Sequence, residues 1–139
     1  VCRFVGALQQ MLQPAVIVET GVGAGKITAE LDLSDCEWWG FEADPAWRPD
    51  AAQPAASPTA VQVAAADLVI LDSDWAYRFS EHAMWTDHGK PGSTCFIHDA
   101  GNGHPRGSGH HQMGHAIVDA GIGGVFLHNP RGSWVGQHP

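Results

Sequence analysis

The chain has 139 residues, enough for one domain with a packed core and too few for a second. Apolar residues make up 44 % and charged residues only 16 %, which excludes wholesale disorder, and no apolar run approaches the roughly 18 residues of a membrane span. Fifteen acidic against seven basic residues give a net charge of −8; Arg3, Lys26, Arg48, Arg78, Lys90, Arg106 and Arg131 are scattered along the chain, so no nucleic-acid-binding surface is expected.

Val1, Phe4, Val5, Leu8, Met11 and Leu12 recur at three- and four-residue spacing, which predicts an N-terminal helix over residues 1–13, stopped by Pro14, with its stripe in the core or an interface. Ala15 to Glu19 is a short β-branched run, read as a buried strand. A glycine-rich turn over 20–25 follows, and Lys26 to Leu31 reads as a short helix. Glu37 to Glu42 is a second strand, closed by Asp44 and Pro45. Residues 49–60, rich in proline and alanine, read as a loop. Val61 to Val63 reads as a brief strand, and Asp67 to Asp72 as the clearest strand in the chain. Ser80 to His88 reads as a helix with Ser80 as its N-cap. Ser93 to His98 is another buried strand, ending in Asp99. A loop rich in glycine and histidine leads to a helix from about Gly109 to Ala120. Gly124 to His128 and Ser133 to Gly136 are closing strands around Asn129, Pro130, Arg131 and Gly132, which have hairpin-turn composition. This order predicts one α/β domain over residues 1–139, a Rossmann-like doubly wound sheet that is mostly parallel and carries an antiparallel C-terminal hairpin.

Open α/β sheets bind ligands beyond the carboxyl ends of their strands. Four polar clusters stand there: Glu19 to Gly25, Glu42 to Asp44, Asp72 to Trp75, and His98 to His104. Glycines 21, 23 and 25, between a strand and a helix, let backbone approach a ligand closely, and Glu42 ends the next strand about 20 residues on, where a carboxylate can accept ribose hydroxyls. The spacing is not that of a phosphate-binding P-loop, because Thr20 and Ile27 occupy its first-glycine and hydroxyl positions. The dinucleotide fingerprint G-x-G-x-x-G is broken by Lys26, which disfavours a nicotinamide oxidoreductase.

Glu19, Gly21, Gly23 and Gly25 together resemble the E/D-x-G-x-G-x-G motif of class I S-adenosylmethionine-dependent methyltransferases. The resemblance implies that Glu19 and the glycines hold the methionine part of the cofactor and Glu42 its ribose, with Asp72, Ser73 and Trp75 completing the cofactor site. The segments 71–75 and 96–99 are also similar to the fourth and fifth strand ends of small, catechol-type O-methyltransferases, where acids bind a magnesium ion that orients substrate hydroxyls. That likeness implies Mg2+ on Asp72 and Asp99, with Asn102 as the third ligand because Ala100 stands where the family has asparagine. The lysine that commonly follows the fourth-strand acid is absent, and the short stretch between the second and fourth strands of the family has no clear adenine-binding acid.

The activity implied is methyl transfer from S-adenosylmethionine to a small-molecule acceptor, at a hydroxyl oxygen, by in-line displacement with His98, Asp99 or His104 as base. Two other readings stand beside it: a non-catalytic nucleotide-binding or partner-dependent module, and a metal hydrolase built on Asp72, Asp99, His98 and His104. His111 and His115, four apart on the last helix, have the spacing of a zinc pair, but no H-E-x-x-H motif surrounds them and a solvated face explains them more simply. Trp38 and Trp39 are expected in packing, and Trp75 near adenine or acceptor. Cys2, Cys36 and Cys95, an odd set without C-x-x-C spacing, fit reduced thiols in a cytoplasmic protein. The chain opens on Val1, as a trimmed or excised piece would, and no stretch in it reads as a signal peptide.

Overall fold

The computed structural model describes residues 1–55, 57–101 and 109–139. Its sheet is built of β1 (Val16–Thr20), β2 (Glu37–Phe41), β3 (Leu68–Leu71), β4 (Thr94–His98), β5 (Gly124–Leu127) and β6 (Ser133–Gln137), in the order β2-β1-β3-β4-β6-β5. The first four run parallel; β6 pairs antiparallel with β4, and β5 antiparallel with β6. The predicted hairpin is therefore present, with its second strand innermost and β5 at the edge.

Strands buried on both faces are apolar at successive positions, and their side chains alternate between two cores. Ile17, Leu68, Ile70 and Phe96 pack with Val5 of α1 (Cys2–Leu12) and with Ile27. Val18, Val69, Leu71, Cys95 and Ile97 pack with Val63 of α2 (Ala60–Ala65), Trp85 of α3 (Trp75–His88), and Met113 and Ile117 of α4 (Gly109–Asp119). The start of β3 is pinned to that of β1 by Asp67, whose carboxylate accepts the backbone N–H groups of Ala15 (2.9 Å) and Val16 (3.0 Å). The α1 stripe is only partly absorbed: Val5 is fully buried, whereas Met11 is 82 % exposed. Among the described residues no helix is long and apolar enough to cross a membrane, and Cys2, Cys36 and Cys95 are free thiols.

Several elements depart from the sequence reading. Val61 to Val63 is not a strand but part of α2. Thr59 caps that helix in a capping box with Gln62, and Val61 is 80 % exposed while Val63 is buried, the facing of a helix rather than of one strand face. The helix expected from Ser80 starts at Trp75. Its N-cap is Asp74, which accepts the Ala76 N–H at 3.1 Å, and the Ser80 hydroxyl instead donates to the Tyr77 carbonyl within the helix. The helix expected over 26–31 contracts to a single 3-10 turn, Thr28–Glu30. In the proline-rich stretch, Gln53 pairs with Phe41 in an isolated parallel bridge, its N–H donating to the Gly40 carbonyl at 2.7 Å. That bridge covers part of the β2 edge.

Candidate functional site

The chain leaves β1 for β2 on one side and comes back to β3 on the other, so the carboxyl ends of β1 and β3 flank the topological switch point. Gly21, the residue after β1, has φ +65°, and a Cβ there would lie 2.4 Å from the Asp72 carbonyl oxygen. Only glycine lets the loop cross the end of β3 so closely. Gly23 and Gly25 also have positive φ, 52° and 69°. The loop folds onto the end of β2: Glu42 accepts the Gly23 N–H on Oε2 (2.7 Å) and the Asp44 N–H on Oε1 (2.9 Å). Gly21, Glu42, Asp44, Asp72, Ser73 and Tyr77 are among the residues that enclose a cavity of about 230 Å³.

Glu19 lies beneath this loop and does not line that cavity. It is 1 % exposed, and its Oε2 accepts from the Thr28 hydroxyl (2.8 Å) and the Trp38 indole N–H (3.0 Å), tying the loop's far end to β2. Burial pushes its pKa up to about 7, against the pull of those two hydrogen bonds. The charged form is thus disfavoured by folding. The resulting loss of stability is absent below the ordinary carboxyl value of 4.5 and complete above about 7. Wild type is expected to lose roughly 3 kcal/mol relative to Glu19→Gln as the pH rises from about 5 to 8, whatever their offset at low pH. Denaturant unfolding of both proteins across that range checks it; parallel curves would refute it. His82, whose pKa burial lowers to about 4, destabilises both proteins alike as the pH falls through its range and cancels in the comparison.

A second buried carboxylate organises the same end of the sheet. Glu81 of α3, 1 % exposed, accepts hydroxyls from Thr20 (2.9 Å) at the end of β1, Ser73 (2.5 Å) after β3, and Ser57 (2.6 Å) in the proline-rich stretch. Burial raises its pKa against these hydrogen bonds. Ser73 therefore turns its side chain inward while its segment lines the cavity.

At the ends of β3 and β4, His98 stands between two carboxylates: Nδ1 is 2.9 Å from Asp72 and Nε2 is 3.3 Å from Asp99. Asp99 is 5 % exposed and adopts a left-handed φ of 57°, unusual away from glycine. Arg131, from the β5–β6 turn, pairs with Asp99 at 3.0 Å, and the Ala100 and Gly101 N–H groups donate to the carbonyls of Gly132 and Arg131. Arg78, 4 % exposed, reaches Asp72 at 3.4 Å, donates to the His98 carbonyl at 2.9 Å and to that of Ser73, and lies 4.5 Å over the Trp75 ring. Asp72, Asp99, Trp75, Arg78 and Arg131 border a second cavity of about 350 Å³ beside the first.

The structure places Gly21, Glu42, Asp72 and Ser73 around the first cavity, with His98 and Asp99 at the neighbouring strand end. Trp75 borders the second cavity and carries Arg78 on its face. Asn102 and His104 lie outside the described residues. His111 and His115 are in contact, Nε2 to Nε2 2.9 Å, and border an apolar cavity with Gly114, Val118 and Phe126. Among the described residues the one group of three converging metal-type ligands is Asp72, His98 and Asp99. The sequence reading missed Arg78 and Glu81, whose positions on a charged helix carry no mark of burial. It also passed over Tyr77, on the wall of the Glu42 cavity.

Solved structures share this arrangement of strands and helices. The O-methyltransferase from Bacillus cereus in complex with SAH matches with a TM-score of 0.68 over 99 % of this chain and 80 % of its own, at 14 % identity. SAH-bound Podospora anserina methyltransferase PaMTH1 matches with a TM-score of 0.68 over 98 % and 76 %, at 11 % identity. The O-methyltransferase TomG from Streptomyces achromogenes, involved in tomaymycin synthesis and in complex with SAM, matches with a TM-score of 0.62 over 99 % and 79 %, at 13 % identity. The chain has the class I S-adenosylmethionine-dependent O-methyltransferase fold. No family model and no curated protein matches the sequence.

Within this O-methyltransferase fold the resemblance implied a magnesium ion on the strand-end acids. Ligand atoms of Asp72, His98 and Asp99 do lie within 4.8 Å of one another. Their chemistry does not fit that ion. Magnesium takes oxygen ligands in near-ideal octahedral geometry and keeps several waters. Here an imidazole fills the space between the carboxylates, and each carboxylate already has an arginine partner.

Proposed function

We propose that this chain transfers a methyl group from S-adenosylmethionine to a hydroxyl oxygen of a small-molecule acceptor. The observation that carries this reading is the cavity at the switch point, where a loop of three positive-φ glycines meets the Glu42 carboxylate at the carboxyl ends of β1, β2 and β3. In the reading, Glu42 accepts ribose hydroxyls with lone pairs left over from its two backbone contacts. Gly21 and Gly23 offer backbone without side-chain bulk, Tyr77 gives an aromatic wall, and Glu19 holds the loop from below as a positioning residue. When bound, the cofactor supplies an activated methyl on a sulfonium, which is displaced in line. The C–S bond would break as the O–CH3 bond formed, with the acceptor's proton passing to a base. Asp99 borders the second cavity to take that proton, directly or with His98, which sits between Asp99 and Asp72 behind it. Most of the rate comes from holding acceptor and methyl in line between the two adjoining cavities.

Calorimetric titration with S-adenosylhomocysteine tests the cofactor half of this reading. Glu42→Ala is expected to weaken binding roughly 100-fold, the loss of one or two charge-assisted hydrogen bonds. Unchanged affinity in the variant, or no binding by wild type, would sink it. Binding by wild type with no methylated product from any hydroxyl-bearing acceptor would leave a nucleotide-binding module in its place.

A further inference from the structure

We infer that the acid cluster at the ends of β3 and β4 is balanced from within the chain, by the guanidinium of Arg78 aided by Arg131, and that this closes it to a divalent cation. The inference rests on the methyl-transfer reading only for the reaction it serves.

Asp72 and Asp99 are matched one to one by Arg78 and Arg131 before His98 is considered. A divalent ion is drawn to carboxylates that lack such partners, and here it would meet two positive charges already in place. Arg78 is also fixed. The helix is capped by Asp74 and starts at Trp75, which sets Arg78 one turn in, where its side chain runs back over the strand ends. There it is 4 % exposed and held by the carbonyls of Ser73 and His98, by Asp72, and by the Trp75 face. A surface arginine swings away when an ion arrives. This one would leave the carbonyls of Ser73 and His98 without their donor. His98 is engaged as well, one ring nitrogen facing each carboxylate, so ligation would cost it one of those contacts.

Arg78 is then a positioning residue. It keeps Asp72 beside His98 and supplies, as a fixed guanidinium, positive charge near an acceptor oxygen that becomes anionic. Methyl transfer under this arrangement proceeds without added metal.

The test is a titration of the purified chain with Mn2+ alone, followed by the paramagnetic resonance of the free ion, with S-adenosylhomocysteine affinity measured on the same samples. Wild type is expected to take up no stoichiometric Mn2+ below millimolar concentration. Arg78→Gln, which keeps an amide donor and removes the charge, is expected to bind one equivalent at least roughly 10-fold more tightly, and adding Asp72→Asn is expected to abolish the gain. Wild type binding one Mn2+ at micromolar concentration, weakened by Asp72→Asn, would overturn the inference. So would a folded Arg78→Gln protein that gains no Mn2+. If circular dichroism shows that Arg78→Gln fails to fold, the wild-type titration decides alone, supported by Arg131→Gln at its exposed position. Loss of S-adenosylhomocysteine binding in wild type counts against the methyl-transfer reading and leaves the Mn2+ result standing.

Discussion

Gly21→Ala is expected to destabilise the fold by about 3 kcal/mol and to abolish S-adenosylhomocysteine binding. Gly25→Ala should cost only about 1 kcal/mol. The two glycines have nearly the same φ, +65° and +69°, so the intrinsic penalty for a left-handed alanine is common to both. Their surroundings differ. A Cβ at Gly21 would sit 2.4 Å from the Asp72 carbonyl oxygen and 2.5 Å from the Ser73 nitrogen, whereas nothing lies within 4 Å of one at Gly25. The obstacle at Gly21 is backbone, which cannot rotate away as a side chain would. Relief requires the loop and the end of β3 to separate, and those segments form the floor of the Glu42 cavity. Denaturant unfolding and calorimetric titration of the two variants, side by side, measure both effects. Equal losses would show that backbone conformation alone, and not the passage of the glycine loop across the end of β3, makes glycine necessary.

Glu81→Ala is expected to cost a similar amount, about 3 kcal/mol, and to weaken cofactor binding although Glu81 lines neither cavity of the site. Its carboxylate is the common acceptor for three hydroxyls from three separate segments. Truncation leaves those groups partly buried without it, each at a cost of about 1 kcal/mol or more. Ser73 matters most for function, because its segment borders both cavities and Glu81 fixes its direction. Glu81→Gln keeps an acceptor oxygen in place and should retain most of the stability and most of the affinity for S-adenosylhomocysteine. A fall in thermal midpoint with no change in affinity would separate the core role from the site and refute the second half of this expectation.

The limits of the sequence reading follow from the range of the forces involved. Strands β1, β3 and β4 were legible because a strand buried on both faces is apolar over three or four consecutive residues, a local requirement. The glycine loop was legible because left-handed backbone demands glycine within a few positions of the strand it follows. Glu42 and Asp72 were legible because a polar residue ending an apolar strand has few places to go but the carboxyl edge of the sheet. Those features determine the fold class and the location of the cavity.

Helix α2 shows where local reading fails. Val61 and Val63 have strand spacing, and the cap at Thr59 with Gln62 outweighs it. Arg78 and Glu81 fail for a deeper reason. In sequence Glu81 is a charge on a helix and Arg78 stands just before the predicted start at Ser80, both ordinary places for a solvated charge. What buries them is chain from elsewhere: the His98 carbonyl, 20 positions from Arg78, and the Thr20 hydroxyl, 61 positions from Glu81. The sequence alone determined the sheet, its glycine loop and the acids at its edge, because burial and backbone conformation act over a few residues. The tertiary structure decided which charge answers each acid, because such pairing depends on distances that exist only once β3, β4 and α3 have packed together.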